Sequence, residues 1–433
     1  MFTVLLGFVI VLPVYVFVGT TPTFVIQAAI IVFALGIYMI RHRSMRLSSL
    51  DLLVSVYIAW ILISYCVNAP VYLFSGRGDI AFKQLASLFA CLFTISPYLL
   101  GRYYLRMEVD GEKFITAIMF SFLSVLLFIS AFYSYAISDL IVARHTVAQR
   151  IPMMITFVAW GICSLGFVRS KKRFWLIAFW CWATVIVILS LTRGSYFQWA
   201  VSGFAFLLIR ASGKMSWPVI AKTLIVGTLV IGLVVGCLVY FQATGATQAA
   251  VVINRFTQLL SLKEVASSDE SASVRIEIWR RLTHRLLESP PRIIVGFGQL
   301  GPSRYLGGSF VDISGEFVGE YNAHSQYLDT LIRSGAVGLL LELSIIGAVI
   351  FRPLFGRNDV VWIQYFKAHS AALIGVMIYG FFHETLRWQM FGFYFWLYAG
   401  ISSRYMFSMT RTVEMPATDP ADRSIGRSMA VVG

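Results

Sequence analysis

Charge is scarce in this chain. Only 13% of its 433 residues are Asp, Glu, Lys or Arg, where soluble domains run near ~25%. That shortage excludes a disordered chain, which stays unfolded by being polar and charged. It also excludes a soluble cytosolic enzyme. Cysteine is sparse too. Cys66, Cys91, Cys163, Cys181 and Cys237 all fall in apolar runs, and none follows Cys237. A disulfide scaffold or a zinc framework is therefore not expected. No Gly-x-x-x-x-Gly-Lys-Ser/Thr run and no Gly-x-Gly-x-x-Gly after a strand is present, so no nucleotide site is indicated. No Asp-x-Asp pair or His-x-x-Glu-His cluster suggests a metal. Residues 1–40 carry no charge, so the basic start of a cleavable signal peptide is missing. Gly19-Thr20-Thr21-Pro22 breaks that run, which reads as a membrane hairpin retained in the protein.

What is abundant is apolar surface. Hydrophobic residues make up 58% of the chain, and the mean hydropathy is +0.77. The apolar runs are long and unbroken, without the alternation of a membrane barrel. All but the short eighth, 196–210, approach the ~20 residues that a helix needs to cross a bilayer. The expected fold class is an all-α polytopic membrane protein of about twelve spans. They lie near 2–19, 22–40, 50–68, 82–100, 114–136, 151–168, 174–191, 196–210, 218–243, 326–351, 365–382 and 387–404. The excess of 35 basic over 21 acidic residues, +14, then belongs to cytoplasmic loops and not to nucleic-acid binding. Arg41, Arg43 and Arg46, Arg169 to Arg173, Arg210 and Lys214, and Arg352 and Arg357 all follow even-numbered spans. Those connections are cytoplasmic by the positive-inside rule, and so are both termini.

Four regions result: nine spans over 1–243, a large outer loop over 244–325, three spans over 326–404, and a flexible cytoplasmic extension over 405–433. No internal repeat is visible. Within the loop, residues 274–287 are free of Gly and Pro, and Ile278, Leu282 and Leu286 recur at helical spacing. This predicts an amphipathic helix, capped by Ser271 or Ser273 and ended by Pro290-Pro291. It is expected to lie apolar side down on the membrane surface. Ile293 to Gly298 reads as an extended piece entering a Gly turn.

Three residues stand out for chemistry. His324 joins the polar loop to the tenth span. An imidazole titrating near ~6.5 can take a proton at neutral pH, and one facing a cavity there can serve as a general base. Arg193 sits in the minimal break between the seventh and eighth spans. Arginine at a membrane faces a cavity or a partner, and its planar fork suits phosphate. Arg275, on the amphipathic helix, is the third. Asp312, Glu316 and Glu320 are spaced four apart, but glycines interrupt them and no metal is assigned there. His145 and His383 are expected outside, without a context that ranks them. His284 reads as part of a solvated basic face. Arg77, Arg144, Arg150 and Arg387 are external and equally unranked.

Several motifs occur in order: Ser190-Leu191-Thr192-Arg193-Gly194-Ser195, Ser273-Val274-Arg275 with Trp279, Pro290, Gly296-Phe297-Gly298, and His324-Ser325-Gln326-Tyr327-Leu328 with Gly335. This ordered set resembles the O-antigen ligase/polymerase family, over roughly residues 190–345. The element at 324–328 most resembles the ligase branch. The resemblance implies a GT-C-like helical glycosyltransferase, inverting, metal-independent and without a cofactor. It would work on the periplasmic face of the bacterial inner membrane. The donor would be a glycan on a polyprenyl (undecaprenyl) diphosphate carrier, and the acceptor lipid A–core oligosaccharide, both embedded among membrane lipids. It carries the family's essential histidine to His324, as general base. It carries the essential arginines to Arg193 and Arg275, as stabilisers of the diphosphate leaving group. Tyr321, Asn322 and Gln326 are expected to bind substrate. Two other readings are a polymerase using the same donor and a transporter for an anionic lipid. Arg285 and Gly296 match the Arg-x10-Gly spacing described for polymerases, but so arginine-rich a loop gives that match no weight. A transporter would place ionisable residues deep in the spans. The sequence does not fix the oligomeric state.

Overall fold

Ser48 starts the first described helix. Its side chain accepts from the Asp51 N–H at 3.1 Å, and its own N–H donates to the Asp51 carboxylate at 2.5 Å. This reciprocal box satisfies two backbone donors that a helix start leaves open. The computed structural model describes residues 47–76, 78–104, 184, 187, 193–211, 270–299, 310–311, 317–318, 323–355, 361–381, 383, 385–386 and 389–413. They form helices α1 (Ser49–Phe74), α2 (Gly78–Ile95), α3 (Arg193–Ala211), α4 (Glu270–Leu287), α5 (Pro290–Val295), α6 (Gln326–Leu354), α7 (Val361–Tyr379) and α8 (Gln389–Val413). A short turn at Pro97–Leu99 and a π-helical turn at Leu100–Tyr104 follow α2. Two two-residue strands, β1 (Phe310–Val311) and β2 (Phe317–Val318), pair antiparallel with Phe310 opposite Val318.

The protein is mostly helical. Among the described residues, Ser49–Phe74, Ala81–Tyr103 and, counted by length and composition across its break, Gln326–Leu354 are long and apolar enough to cross a membrane. The expected spans at 2–40, 114–168 and 218–243, and nearly all of 174–191, lie outside the described residues.

The polar groups at one end of the bundle are gathered and paired. Asp51 accepts from Arg102 Nε at 3.0 Å and from the Tyr98 hydroxyl at 2.6 Å. Ser48 meets Ser403 at 2.6 Å, and Arg352 reaches Ser49. Here α8 crosses the turn after α2 backbone to backbone. A Cβ on Gly101 would stand 2.1 Å from the Leu397 carbonyl, and one on Gly400 2.0 Å from that of Tyr98. Small residues permit such close approach between membrane helices.

Three expectations are corrected by the fold. The tenth span is not one continuous helix. Gly335 has φ 70° and ψ −176°, which breaks α6. Gln326 and Glu342 would be ~24 Å apart along a straight helix. Their side chains meet at 2.9 Å, so the first piece of α6 folds back beside the second. The amphipathic helix does not lay its apolar face on a membrane surface. Ile278, Leu282 and Leu286 are buried against Phe297, Ala323 and Ile332 of the same chain. Residues 290–295 are helical rather than extended. Pro290 and Pro291 end α4 and also open α5, because proline is well tolerated in a first helical turn. Smaller differences follow from the same elements. α4 begins at Glu270, so Ser271 and Ser273 lie inside it, and α8 continues to Val413, past the expected boundary at 404.

Candidate active site

The glycine motif is the scaffold of the site. Gly296, Gly298 and Gly335 have φ of 75°, 100° and 70°, a region that side chains rarely adopt. They let two backbone stretches dock on one another. The Phe297 N–H donates to the Ile332 carbonyl at 2.7 Å and that of Gly298 to the Arg333 carbonyl at 3.0 Å. No side chain fits between them. A Cβ on Gly335 would stand 2.0 Å from the Ile294 carbonyl, and one on Gly296 2.4 Å from that of Arg333.

This junction sits level with the middle of α1. Trp60 Nε1 donates to the Ser334 carbonyl at 2.8 Å, the Ser64 hydroxyl to that of Val295 at 2.7 Å, and Asn68 Nδ2 to that of Gly296 at 3.3 Å. Gln84 of α2 donates to the Phe297 carbonyl at 3.1 Å. Irregular backbone at membrane depth survives only where the protein supplies hydrogen bonds. Here α1 and α2 supply them. Asp329 and Arg333, paired at 2.8 Å and buried, add a charged strut one helical turn long.

His324 stands where this scaffold meets the turn between α7 and α8. Its φ is 48°, the only positive value among the described non-glycine residues. Such a backbone costs on the order of 1–2 kcal/mol and persists only where its surroundings impose it. They do so on both sides. Before it, Trp279 Nε1 donates to the Ala323 carbonyl at 2.6 Å. After it, Ser325 caps α6, and the Gln326 N–H donates to the carbonyls of Gly380 at 2.8 Å and His383 at 3.1 Å. Arg275 lies one helical turn before Trp279, on the same side of α4. Burial, and then the positive charge of Arg275, push the His324 imidazole down to about 4. It is neutral at pH 7 and able to accept a proton.

His383 belongs to the same group. Its ring stacks on Tyr379, with centroids 4.4 Å apart and planes within 16°. Burial, the charge of Arg275 and then that of His324 push it down to about 3. Tyr379 in turn lies against the start of α3, because a Cβ on Gly194 would stand 2.5 Å from its ring. Arg193 is the first residue of α3, and its side chain lies outside the described residues. Thus the helix start bearing Arg193, Arg275, His324 and His383 converge on one end of the bundle from four separate stretches of chain.

Gln326 is placed differently from the expectation of a substrate contact. It is 1% exposed. Its amide nitrogen donates to Glu342 at 2.9 Å and Thr330 at 3.2 Å, and its oxygen accepts from the Leu386 N–H at 3.0 Å. It ties the 380–386 turn to α6. Glu342 also accepts from the Tyr57 hydroxyl at 2.8 Å. Beside this network lies a cavity of about 260 Å³ that Tyr57, Thr94, Gln326, Arg333 and Glu342 help to line. Tyr321 and Asn322 lie outside the described residues, as do Arg77, Arg144, His145, Arg150, Arg387, Asp312, Glu316 and Glu320. His284 is exposed and faces Glu288 at 3.2 Å, as a solvated face requires. His369 is fully buried, its two ring nitrogens each 3.1 Å from an oxygen, the Tyr365 carbonyl and the Tyr394 hydroxyl. It serves packing.

Sequence reasoning ranked His383 no higher than His145. The usable signal was a histidine in the short polar interruption between two spans. Only the fold-back of α6 brings it beside His324.

A helical membrane protein with a basic, recessed site assembled from loops at one end defines the class. Within it, residues 176–343 match a family model described as O-antigen ligase. The matched range holds Arg193, Arg275, the glycine motif, His324 and Gly335. His383 lies beyond it. No curated protein matches the chain.

Proposed function

We propose that this protein is an O-antigen ligase. It moves a glycan from a polyprenyl diphosphate carrier to the lipid A–core oligosaccharide, on the periplasmic face of the inner membrane. The single observation that carries this reading is the convergence of Arg275, His324 and the start of α3 on one end of the bundle, within a segment of ligase family. In this reading the twelve expected spans complete a GT-C-like bundle, with the basic loops and both termini in the cytoplasm.

The chemistry follows from the groups present. The acceptor hydroxyl attacks the anomeric carbon of the donor sugar. Its proton passes to the neutral His324 imidazole as the new glycosidic bond forms. The bond to the diphosphate breaks, and the diphosphate leaves with the electron pair. A direct displacement inverts the anomeric centre. Such general-base assistance is typically worth ~10²–10⁴-fold. A diphosphate needs little protonation but does need its growing charge stabilised. Arg193 and Arg275 supply that charge in a site with little water, so a metal is not required. Gln326 positions the site through its hydrogen bonds to Glu342, Thr330 and Leu386.

The test is transfer by the purified full-length protein, given polyprenyl-diphosphate glycan together with lipid A–core. Sugar appearing on lipid A–core is the expected result. Longer carrier-linked chains would make the protein a polymerase with the same site. No transfer, with donor and acceptor shown to be competent, would overturn the transferase reading in favour of a transporter.

A further inference from the structure

We propose that His383 is a substrate-binding residue, a second imidazole that holds the phosphates of the lipid carrier together with Arg275. The proposal rests on the transferase reading and goes beyond the family segment, which ends at 343.

Three observations carry it. First, His383 is held in register with His324. Its carbonyl accepts the N–H of Gln326, two residues after His324, and also that of Thr385, both at 3.1 Å. Gln326 closes the same turn with its side chain, through Leu386. Second, the orientation of its ring is set. It stacks on Tyr379, and Gly194 leaves no room for Tyr379 to move toward α3. Its stacking partner therefore lies against the helix start that bears Arg193. Third, it shares the field of Arg275 with His324, yet it is not sealed in the core as His369 is. His383 occupies a partly exposed turn beside His324.

An anionic ligand fits this place better than a sugar hydroxyl. A cation and two imidazoles crowded together repel any proton added among them. A bound phosphate offsets that repulsion and turns the imidazole N–H into a charge-assisted donor. Two phosphate-bearing molecules reach the site in this reading, the carrier diphosphate and the phosphorylated core acceptor. The contact between Gly194 and Tyr379 puts His383 on the Arg193 side, which favours the carrier.

The experiment measures binding without transfer. Polyprenyl diphosphate without glycan, polyprenol of the same length, and phosphorylated lipid A–core are titrated into the full-length protein in detergent. His383→Ala should raise the Kd for polyprenyl diphosphate about ten- to hundredfold, the range for losing a hydrogen bond to a charged group. Polyprenol and lipid A–core should bind as they do to the wild type. His383→Gln, which keeps a donor, should recover part of the loss, and it serves as the reading variant if the alanine form does not fold. Wild-type affinity for the diphosphate in both variants overturns the proposal. So does an equal loss for polyprenol, which would mean general packing, or a loss confined to lipid A–core, which would move the contact to the acceptor. A wild-type protein that binds no polyprenyl diphosphate overturns the transferase reading itself, a result distinct from any failure of His383.

Discussion

The two ends of the helical bundle handle polar groups in opposite ways. At the Asp51 end, Arg102, Tyr98, Ser48 and Ser403 surround one carboxylate within 2.5 to 3.5 Å. Charge is matched to charge, and the helices cross where glycines let them touch. At the His324 end, one residue is held at a positive φ, three glycines hold a backbone junction, and two imidazoles lie within the field of one arginine. The first end is arranged to stay as it is. The second stores backbone strain and gathers groups whose titration is displaced by burial and by the charge of Arg275. Perturbed titrating groups gather at functional sites for this reason, while stability is supplied from elsewhere.

Substitutions can separate the two roles. The largest effect is expected for His324→Asn, since asparagine tolerates a positive φ but cannot act as a base. Transfer to lipid A–core should fall ~10²–10⁴-fold with an unchanged melting temperature. Activity within a few-fold of wild type would remove His324 from the chemistry. Arg102→Ala should show the mirror image. Leaving Asp51 buried without its cation costs about 3–5 kcal/mol, visible in thermal unfolding in detergent, while each surviving folded molecule keeps its rate. Gly335→Ala falls between the two. A methyl group forced against the Ile294 carbonyl at a positive φ should cost about 2–3 kcal/mol, and transfer should fall too, since the junction carries the site.

The pH profile gives a smaller and graded effect. Transfer that needs neutral His324 should stay level from pH 8 down to about 5 and then drop as the group protonates near 4. In the unfolded chain the same histidine titrates near ~6.5. Between about 6.5 and about 4 the unfolded state therefore binds the extra proton, and folding weakens as pH falls through that window. A profile that instead broke near 6.5 would mean that His324 is neither buried nor within the field of Arg275 in the working enzyme. The smallest effect belongs to Glu277 on the exposed face of α4. Its neighbours Arg280 and Arg281 hold its carboxyl down at about 2, but the group is open to solvent and screened. Glu277→Gln should leave melting and transfer unchanged. A clear loss would show that the basic face of α4 itself takes part.

Much of this contrast was legible before any fold was seen. The ordered motifs, through the family they resemble, singled out Arg193, Arg275, the glycines and His324. Helical spacing picked out Ile278, Leu282 and Leu286 correctly as one apolar face. What covers that face was misjudged, because periodicity says that a stripe is buried and not by what. Protein covers it here, through Phe297, Ala323 and Ile332. The break at Gly335 was missed for a related reason. A glycine inside a long apolar run is tolerated in a helix at ~1 kcal/mol, so its presence does not announce a reversal. Asp51 and Arg102, 51 residues apart, carry no local sign that they pair.

The sequence by itself determined that this chain is a helical membrane protein. Apolar runs of that length leave the backbone no other way to satisfy its hydrogen bonds in lipid. It also determined which chemical groups are available, through a short set of ordered motifs. Only the tertiary structure decided which of those groups meet. The reversal at Gly335 returns Gln326 to Glu342, draws the 380–386 turn to α6, and sets His383 beside His324. That decision rests on backbone close approach and on hydrogen bonds across tens to hundreds of residues, which no local pattern encodes.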